Sequence, residues 1–542
     1  MNDYLIQIIK DALTQFDLES TPDIRIEEPN LPEHGDASSN VAMMLAKPLR
    51  NNPRAIAQQI VDALELDENK VTAVEIAGPG FINFRFANDY LYEELSDILK
   101  EGSDFGRTIS NKDHKILIEF VSANPTGPLT VGHGRNAVLG DTVARLLEWT
   151  GAHVDREYYF NDAGRQMRVL GQSVRSRYLE LLGKDHEFPE GGYEGEYIID
   201  IAQAIVDDHG DDWVDQTDEA PFKEKAEEAI FEDISHTLDR MKIHMDSFFN
   251  ERSLYDDGKI DETISIFRNK DLAYDKDGAV WFRTTEFGKE KDTVLVKSSG
   301  EPTYRLPDIA YHANKLDRGY DLCIDVFGAD HIDTYPDVLS GIKSLGYDPD
   351  KVDVIVYQFV TIVKDGKPFK MSTRKANFVT LDELMDEVGA DVTRFFFLMR
   401  SPNTHLEFDI AQAKEAGEKN PVFYLQYAHA RICSILRKVE EEYSFEGDAD
   451  LSLLDHEAEI ALIKSMLKFP DVIQSAAGAR EPHRLITYLN ELASHFTKFY
   501  HDCRIMGEDE AIAQSRTALA SATAQVLRNG LGILGITAPE SM

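Results

Sequence analysis

Residues 114–122, HKILIEFVS, form an apolar run that passes into a proline- and glycine-rich loop, ANPTGPLTVGHGR. A helical pattern follows, with Val138, Leu139, Val143, Leu146 and Leu147 on one face. This order of strand, loop and helix narrows the possible folds more than any composition figure does. A strand that feeds a helix is half of a βα unit, and parallel strands need such crossovers. Further β-type segments at 153–160 (HVDREYYF), 294–297 (VLVK), 322–328 (LCIDVFG) and 352–360 (VDVIVYQFV) alternate with helical text. The spacing therefore predicts an α/β fold with a doubly wound parallel sheet, interrupted for a long stretch between its second and third strands. In such a sheet, ligands bind beyond the carboxyl ends of the strands.

The flanking regions read differently. Residues 1–110 open with an amphipathic helix carrying Leu5, Ile8, Ile9, Leu13 and Phe16, and close with two β-rich runs around Gly78-Pro79-Gly80. They predict a small α+β domain. Within it, GDASSNVAMMLAK (35–47) reads as a turn and a helix, with Asp36, Ser38, Ser39 and Asn40 as capping residues. Residues 111–400 hold the sheet, with a helical insertion at about 170–290, and 401–542 read as an all-α domain. At 42% hydrophobic and 28% charged residues, the chain can bury large cores. No apolar stretch reaches the roughly 18 residues of a membrane-spanning helix, and the N-terminus lacks the order of a secretory signal. Cys323, Cys433 and Cys503 are widely spaced, which argues against a disulfide framework or a Cys-rich zinc site. A cytoplasmic protein with no protein-held metal and no membrane partner is expected.

Charge sets a sharper problem. The chain carries 97 acidic and 57 basic residues, a net charge of −40, and should repel a polyanion unless its cations are segregated. They are. Residues 187–257 hold 22 acids against 5 bases, which reads as a solvated acidic face. Across 401–542 the imbalance falls to 21 against 13, and cations sit beside aromatics in 424–438 and 480–504. Such text suits stacking on unpaired bases and contact with phosphates, although helix packing accounts for most of the aromatics. Tyr427, Arg431, Tyr500 and Arg504 are the candidates for RNA contact.

Two loops carry chemistry. Thr130-Val131-Gly132-His133 lies where the first sheet strand feeds its helix, so backbone N–H groups and the helix dipole can meet a phosphate there. Gly132 permits close approach, and His133 can donate to charge developing at an adenylate phosphorus. The second loop, DGKPFKMSTRKANF (365–378), places Lys367, Lys370, Arg374 and Lys375 within nine residues, before a helix beginning near Leu381. In so acidic a chain this is a polyanion-binding element, suited to a leaving pyrophosphate.

TVGH and KMSTR resemble the two motifs of class I aminoacyl-tRNA synthetases. The blocks IEFVSANPTGPLTVGHGRNAVLGD, REYYFNDAGRQM, YRLPDIAYH, FGADH, KMSTRKANFVTL and GLGILGITAPESM are similar, in order, to those of arginyl-tRNA synthetases. The resemblance runs nearly end to end. It implies a Rossmann-type catalytic domain, an N-terminal domain contacting the outer corner of the tRNA and a C-terminal anticodon-binding domain. It implies ATP with Mg²⁺, arginine and tRNA(Arg) as substrates and partners of a monomer. ATP would meet Thr130, Gly132, His133, Gly328, Asp330, His331, Lys370, Met371 and Ser372, with His133, Gly132 and Lys370 the catalytic positions. Arginine would meet Glu119, Ser122, Asn124, Glu251, Tyr304 and Asp308. Of these, Asp308 and Glu251 would grip the guanidinium, while Asn124 and Ser122 would face the α-amino and carboxylate end.

The chain departs from the family pattern twice. Thr130 stands where the first motif begins with His, and Thr373 replaces the second motif's second lysine, leaving open which of Lys370, Arg374 and Lys375 meets pyrophosphate. Two other readings stay open at this level: a class I synthetase of another specificity, and a non-catalytic tRNA-binding paralogue. The acids Glu119, Glu251 and Asp308 favour a cationic amino acid.

Overall fold

Five parallel strands organise the region that holds both motif loops. They are β1 (Lys115–Glu119), β2 (His153–Phe160), β3 (Ser247–Asn250), β4 (Leu322–Gly328) and β5 (Val352–Tyr357), lying side by side in the order β5-β4-β1-β2-β3. The chain winds outward from β1 in both directions, so a crevice opens between the carboxyl ends of β1 and β4. Ile116, Leu117 and Ile118 are all buried, as expected of a strand covered on both faces. The structure, a computed structural model, describes all residues except Glu19, Asn30, Asp330, His331, Asp365, 369–378, Ala416 and Glu418, and the side chains of Asp3 and Pro32.

The helix after β1, α1 (Val131–Trp149), is buried nearly all round. Gly140 sets how close it lies to the sheet, because a Cβ there would stand 2.3 Å from the Phe120 ring. Arg394, fully buried, ties α1 to later segments by donating to the Asp141 carboxylate at 2.6 Å, the Met241 carbonyl at 2.7 Å and the Leu534 carbonyl at 2.9 Å. Between β2 and β3 run α2 (Gly164–Leu181), α3 (Glu196–His209) and α4 (Ala220–Arg240), with Tyr178, Trp213 and Phe222 ring to ring among them. This is the acidic insertion, and it ends sooner than expected. Ser247–Asn250, inside the expected insertion, is the third strand of the parallel sheet, whereas 294–297 falls in a separate antiparallel sheet of Ala273–Lys276, Ala279–Phe282 and Thr293–Val296. An apolar run of four reveals a strand but not which sheet it joins. Likewise 352–360 divides: β5 stops at Tyr357, and Val360–Lys364 pairs with Leu406–Asp409, so the helical text begins after that strand.

The chain forms two compact units. The sheet belongs to Gly106–Arg431, Phe469–Ala493 and Leu527–Met542; the other unit comprises Met1–Phe105, Ile432–Lys468 and Ser494–Val526. In the latter, an antiparallel sheet of Ile26–Glu27, Ala37–Ser39, Phe81–Phe86 and Val71–Ala77 packs on the helices Asn2–Leu13 and Pro53–Asp62, with Leu5, Ile9, Ile56, Ile60, Ile82 and Phe84 in its core. Ser38 and Ser39 are not helix caps. They lie in a buried strand, where Ser38 Oγ donates to Asn83 at 2.6 Å, and Asn40 stands at the helix N-cap without a side-chain hydrogen bond. Among the described residues, no helix is long and apolar enough to cross a membrane.

Gly140→Ala tests the α1–β1 contact. The added methyl must displace Phe120 or the helix, an overpacking cost of about 1–3 kcal/mol, and should lower the midpoint of thermal unfolding measurably; an unchanged midpoint would show that the contact is slack.

Candidate active site

A row of carboxylates crosses the sheet beside the crevice. Asp325 on β4 is in register with Glu119 on β1, Glu119 with Glu157 on β2, and Glu157 with Ser247 on β3. Registered residues of parallel strands share a face, so three acids lie side by side in the interior, all of them buried. The helix α5 (Arg305–Asp317) and the turn after it supply their partners. Lys315, with no exposed surface, donates to Asp325 at 2.5 Å and to Glu119. His312 Nε2 lies 2.7 Å from Asp325, and its Nδ1 lies 2.7 Å from the Asp308 carbonyl. Arg318 forks onto Glu157 at 2.6 and 2.7 Å, joined by the Tyr311 hydroxyl at 2.6 Å and the Ser247 hydroxyl at 2.8 Å. Burial acts against the ammonium of Lys315, but Asp325 and Glu119 more than compensate and hold it charged, with its pKa raised. Against the same burial, Arg318 and Tyr311 hold Glu157 below the ordinary range.

Two further carboxylates at this crevice have no cation among the described residues. Asp308, in the first turn of α5, makes no side-chain hydrogen bond or ion pair with any described residue. Burial pushes its carboxyl up to about 7, with Glu119 and Glu251 adding to the rise and His312 and Lys315 opposing it. Glu251, just past β3, accepts from the Tyr159 hydroxyl at 2.6 Å, the Asn161 amide at 2.8 Å and the Tyr255 hydroxyl at 3.4 Å, all neutral donors. Burial raises its pKa as well, against those three hydrogen bonds. Desolvated acids without a compensating cation are unfavourable in the free protein. They suit a ligand that brings positive charge with donors in more than one direction.

The end of β1 turns sharply into this site. Val121 and Ser122 adopt φ of 65° and 44°, a left-handed conformation that costs non-glycine residues on the order of 1 kcal/mol or more each. Hydrogen bonds over-determine it. The Val121 N–H donates to Asn136 Oδ1 at 2.6 Å, Ser122 Oγ donates to Glu119 at 2.9 Å, and the Tyr159 N–H donates to Ser122 Oγ at 3.2 Å. Asn136, on α1, also donates to the Val326 carbonyl of β4 at 2.7 Å, spanning the crevice floor.

The first motif loop is organised by the cap of α1. Thr130 Oγ1 accepts from the His133 N–H at 3.4 Å, and His133 Nδ1 accepts from the Thr130 N–H at 3.2 Å. Burial lowers the His133 pKa, so the ring is neutral. With Nδ1 accepting, its proton sits on Nε2, which has no partner among the described residues. A Cβ on Gly132 would meet only Thr130 Oγ1 at 3.6 Å, so the space beside Gly132 is open. Leu129 and Thr130 pair with 379–381: the Val131 N–H donates to the Val379 carbonyl at 3.4 Å, and the Leu381 N–H to the Leu129 carbonyl at 2.8 Å. These residues lead into α6 (Leu381–Val388), which is capped by Thr380.

Of the expected arginine contacts, Glu119, Ser122, Glu251 and Asp308 come together. Asn124 lies at the edge, donating to Gln166 at 3.0 Å and accepting from the Asn161 N–H at 3.2 Å. Tyr304 precedes α5 and is 79% exposed, apart from the buried cluster. Thr130, Gly132 and His133 share one turn, and Gly328 ends β4. Asp330, His331, Lys370, Met371 and Ser372 lie outside the described residues, as do Thr373, Arg374 and Lys375. Tyr427 stacks on Phe423 and Tyr500 on Phe496; Arg431 and Arg504 are exposed, one on each unit. Sequence reading missed Lys315, His312, Arg318 and Asn136. It also missed Arg135, whose buried guanidinium caps the carbonyls of Gln358, Ser401 and Thr404. A signal for the first two was present: Asp308, His312 and Lys315 recur at helical spacing on one face of an otherwise apolar helix.

Known proteins match at every level. Residues 3–86 match the family described as "Arginyl tRNA synthetase N terminal domain", 94–404 "tRNA synthetases class I (R), catalytic domain" and 425–542 "DALR anticodon binding domain". An arginine–tRNA ligase of Salinibacter ruber is 55% identical over the whole of both chains, and one of Desulfotalea psychrophila is 52% identical over 94% of each. The solved arginyl-tRNA synthetase of Thermus thermophilus shares the fold, with a TM-score of 0.80 at 23% identity over the whole of both chains. The catalytic-domain match spans more than half of the chain and the identity runs from end to end, so the chain belongs to the class I arginyl-tRNA synthetase family.

Proposed function

We infer that the protein is an arginine–tRNA ligase. The carrying observation is the pair of desolvated carboxylates, Asp308 and Glu251, that have no cation of their own beside a row of acids that do. A guanidinium is planar, permanently charged and rich in donors, and it answers both groups at once. The relatives named above support the same amino acid and make the other specificities and the non-catalytic reading unnecessary.

Arginine would enter with its guanidinium toward Asp308 and Glu251 and its α-amino and carboxylate end toward Ser122 and Asn124, with Glu119 and Tyr304 completing the contacts. ATP would lie over Gly132. The arginine carboxylate then attacks the α-phosphorus, forming arginyl-adenylate and releasing pyrophosphate. His133 Nε2–H would donate to charge growing on the phosphate, and Lys370, Met371 and Ser372 are assigned to the nucleotide, with Gly328, Asp330 and His331 assigned to the nucleoside. Mg²⁺ would enter with ATP as part of the substrate and neutralise phosphate charge; among the described residues, no group of three or more acids, His or Cys could hold a metal. In the second step a hydroxyl of the tRNA's terminal ribose, the 2′ in this class, attacks the adenylate carbonyl and AMP departs. Catalysis here is positioning and electrostatic stabilisation, without a covalent enzyme intermediate. Residues 1–110 are assigned to the outer corner of tRNA(Arg) and 401–542 to its anticodon, with Tyr427, Arg431, Tyr500 and Arg504 as contacts. The reading extends to a cytoplasmic monomer.

Purified protein offered total tRNA and each radiolabelled amino acid should charge with arginine alone; charging with another amino acid, or binding of tRNA without charging, contradicts the reading. In the same assay Asp308→Asn should raise the KM for arginine about a hundredfold and leave the KM for ATP within about twofold. Its effect on stability has the opposite sign. The folded pKa of about 7 lies above the ordinary 3.8, so the free protein loses stability as pH rises between these values. At pH 8 Asp308→Asn should therefore melt higher than the parent. His133→Ala should lower kcat about a hundredfold or more with little change in the KM for arginine; an equal rise in that KM would move His133 out of the phosphate site.

A further inference from the structure

The arginine pocket contains a lysine that no substrate contact explains. Lys315 sits two turns along α5 from Asp308, fully buried, and neutralises Glu119 and Asp325 rather than Asp308 or Glu251. Without it, Glu119 and Asp325 would be adjacent buried acids in register on neighbouring strands, held only by Ser122 and His312, and both would compete for any cation entering the crevice. Ser122 Oγ takes the other oxygen of Glu119, so the carboxyl is fixed at both ends. We propose that Lys315 is a positioning residue for arginine selection: by holding Glu119 and Asp325 as an internal ion triad, it leaves Asp308 and Glu251 as the acids that receive the guanidinium and sets the pH at which Asp308 is ready to do so. The proposal rests on the arginine-ligase reading and deepens it.

The groups that face Asp308 among the described residues come from every side. His312 and Lys315 lie on its own helix, Glu119 on β1, Tyr159 on β2 and Glu251 just past β3; Asp325 on β4 acts through Lys315 and His312. The cations lower the Asp308 pKa and the acids raise it. Lys315 is the one ammonium in this set, so removing it turns the balance toward protonated Asp308. A protonated carboxyl cannot form a guanidinium ion pair until it loses its proton.

The test is the pH dependence of the arginine KM in tRNA charging by the full-length protein, with the KM for ATP, kcat and the melting midpoint measured alongside. In the parent, the KM should fall with rising pH to a midpoint near 7 and then level. Lys315→Met should move that midpoint up by about one unit, so that the arginine KM at pH 7 is about fivefold higher but within about twofold of the parent at pH 9. The KM for ATP should be unchanged. Lys315→Arg, which keeps the charge, and Lys315→Met with Asp325→Asn, which restores the balance, should bring the midpoint back. Asp325→Asn alone should move it down, and this arm is read even if Lys315→Met does not fold. An unshifted midpoint in Asp325→Asn, or a rise in the arginine KM of Lys315→Met by one factor at all pH values, overturns the proposal while leaving the ligase reading in place. A parent protein that charges no arginine at any pH overturns both.

Discussion

The ion triad of Lys315 with Glu119 and Asp325 is the contact on which the amino acid end of the site depends. It joins α5 to the two strands that flank the crevice, and it does so in the interior, where an ion pair contributes only if both sides are met. Neutralising one set of acids leaves another set conspicuous. Asp308 and Glu251 are desolvated by the same packing, yet among the described residues only neutral donors reach Glu251 and none reaches Asp308. The free protein therefore carries a deficit of positive charge at one place, and the proposed ligand, arginine, is one that removes it.

The phosphate end follows a different rule. Here the protein supplies geometry more than charge: a capped helix start, a neutral imidazole with its proton directed by the cap, and open space at Gly132. Thr130, which departs from the usual motif, acquires a structural reason, because its hydroxyl closes the cap that fixes the His133 ring. Backbone hydrogen bonds tie 129–131, at the first motif, to 379–381. On the proposed reading the fold separates its tasks, with cation recognition on α5 and the strand ends and phosphate recognition at the start of α1.

Much of this was legible in the chain. The first strand, loop and helix, the parallel sheet, the N-terminal hairpin around Gly78 and the start of α6 near Leu381 all follow from pattern. Other features were hidden for physical reasons. Ser247–Asn250 is a four-residue edge strand inside acidic text, too short for alternation to show, and 294–297 looks like any buried strand although it joins an antiparallel sheet. Ser38 and Ser39 suggested caps because short hydroxyl side chains also suit turns, but a buried strand claimed them. Motif likeness drew attention to Glu119, Glu251 and Asp308 and not to Lys315, Arg318 or Asn136, because a partner's identity depends on strand register and helix packing that sequence spacing does not contain. The net charge of −40 reads differently once these partners are placed. Several of the acids are interior and compensated, and residues 187–257 hold 22 more of them against 5 bases.

Charge pairing at Asp308 is tested most directly by calorimetry of arginine binding in buffers of different ionisation enthalpy. If the guanidinium pairs with a carboxylate whose free pKa is about 7, binding at pH 6 should release close to one proton and binding at pH 8.5 almost none. Binding without proton release at pH 6 would contradict it.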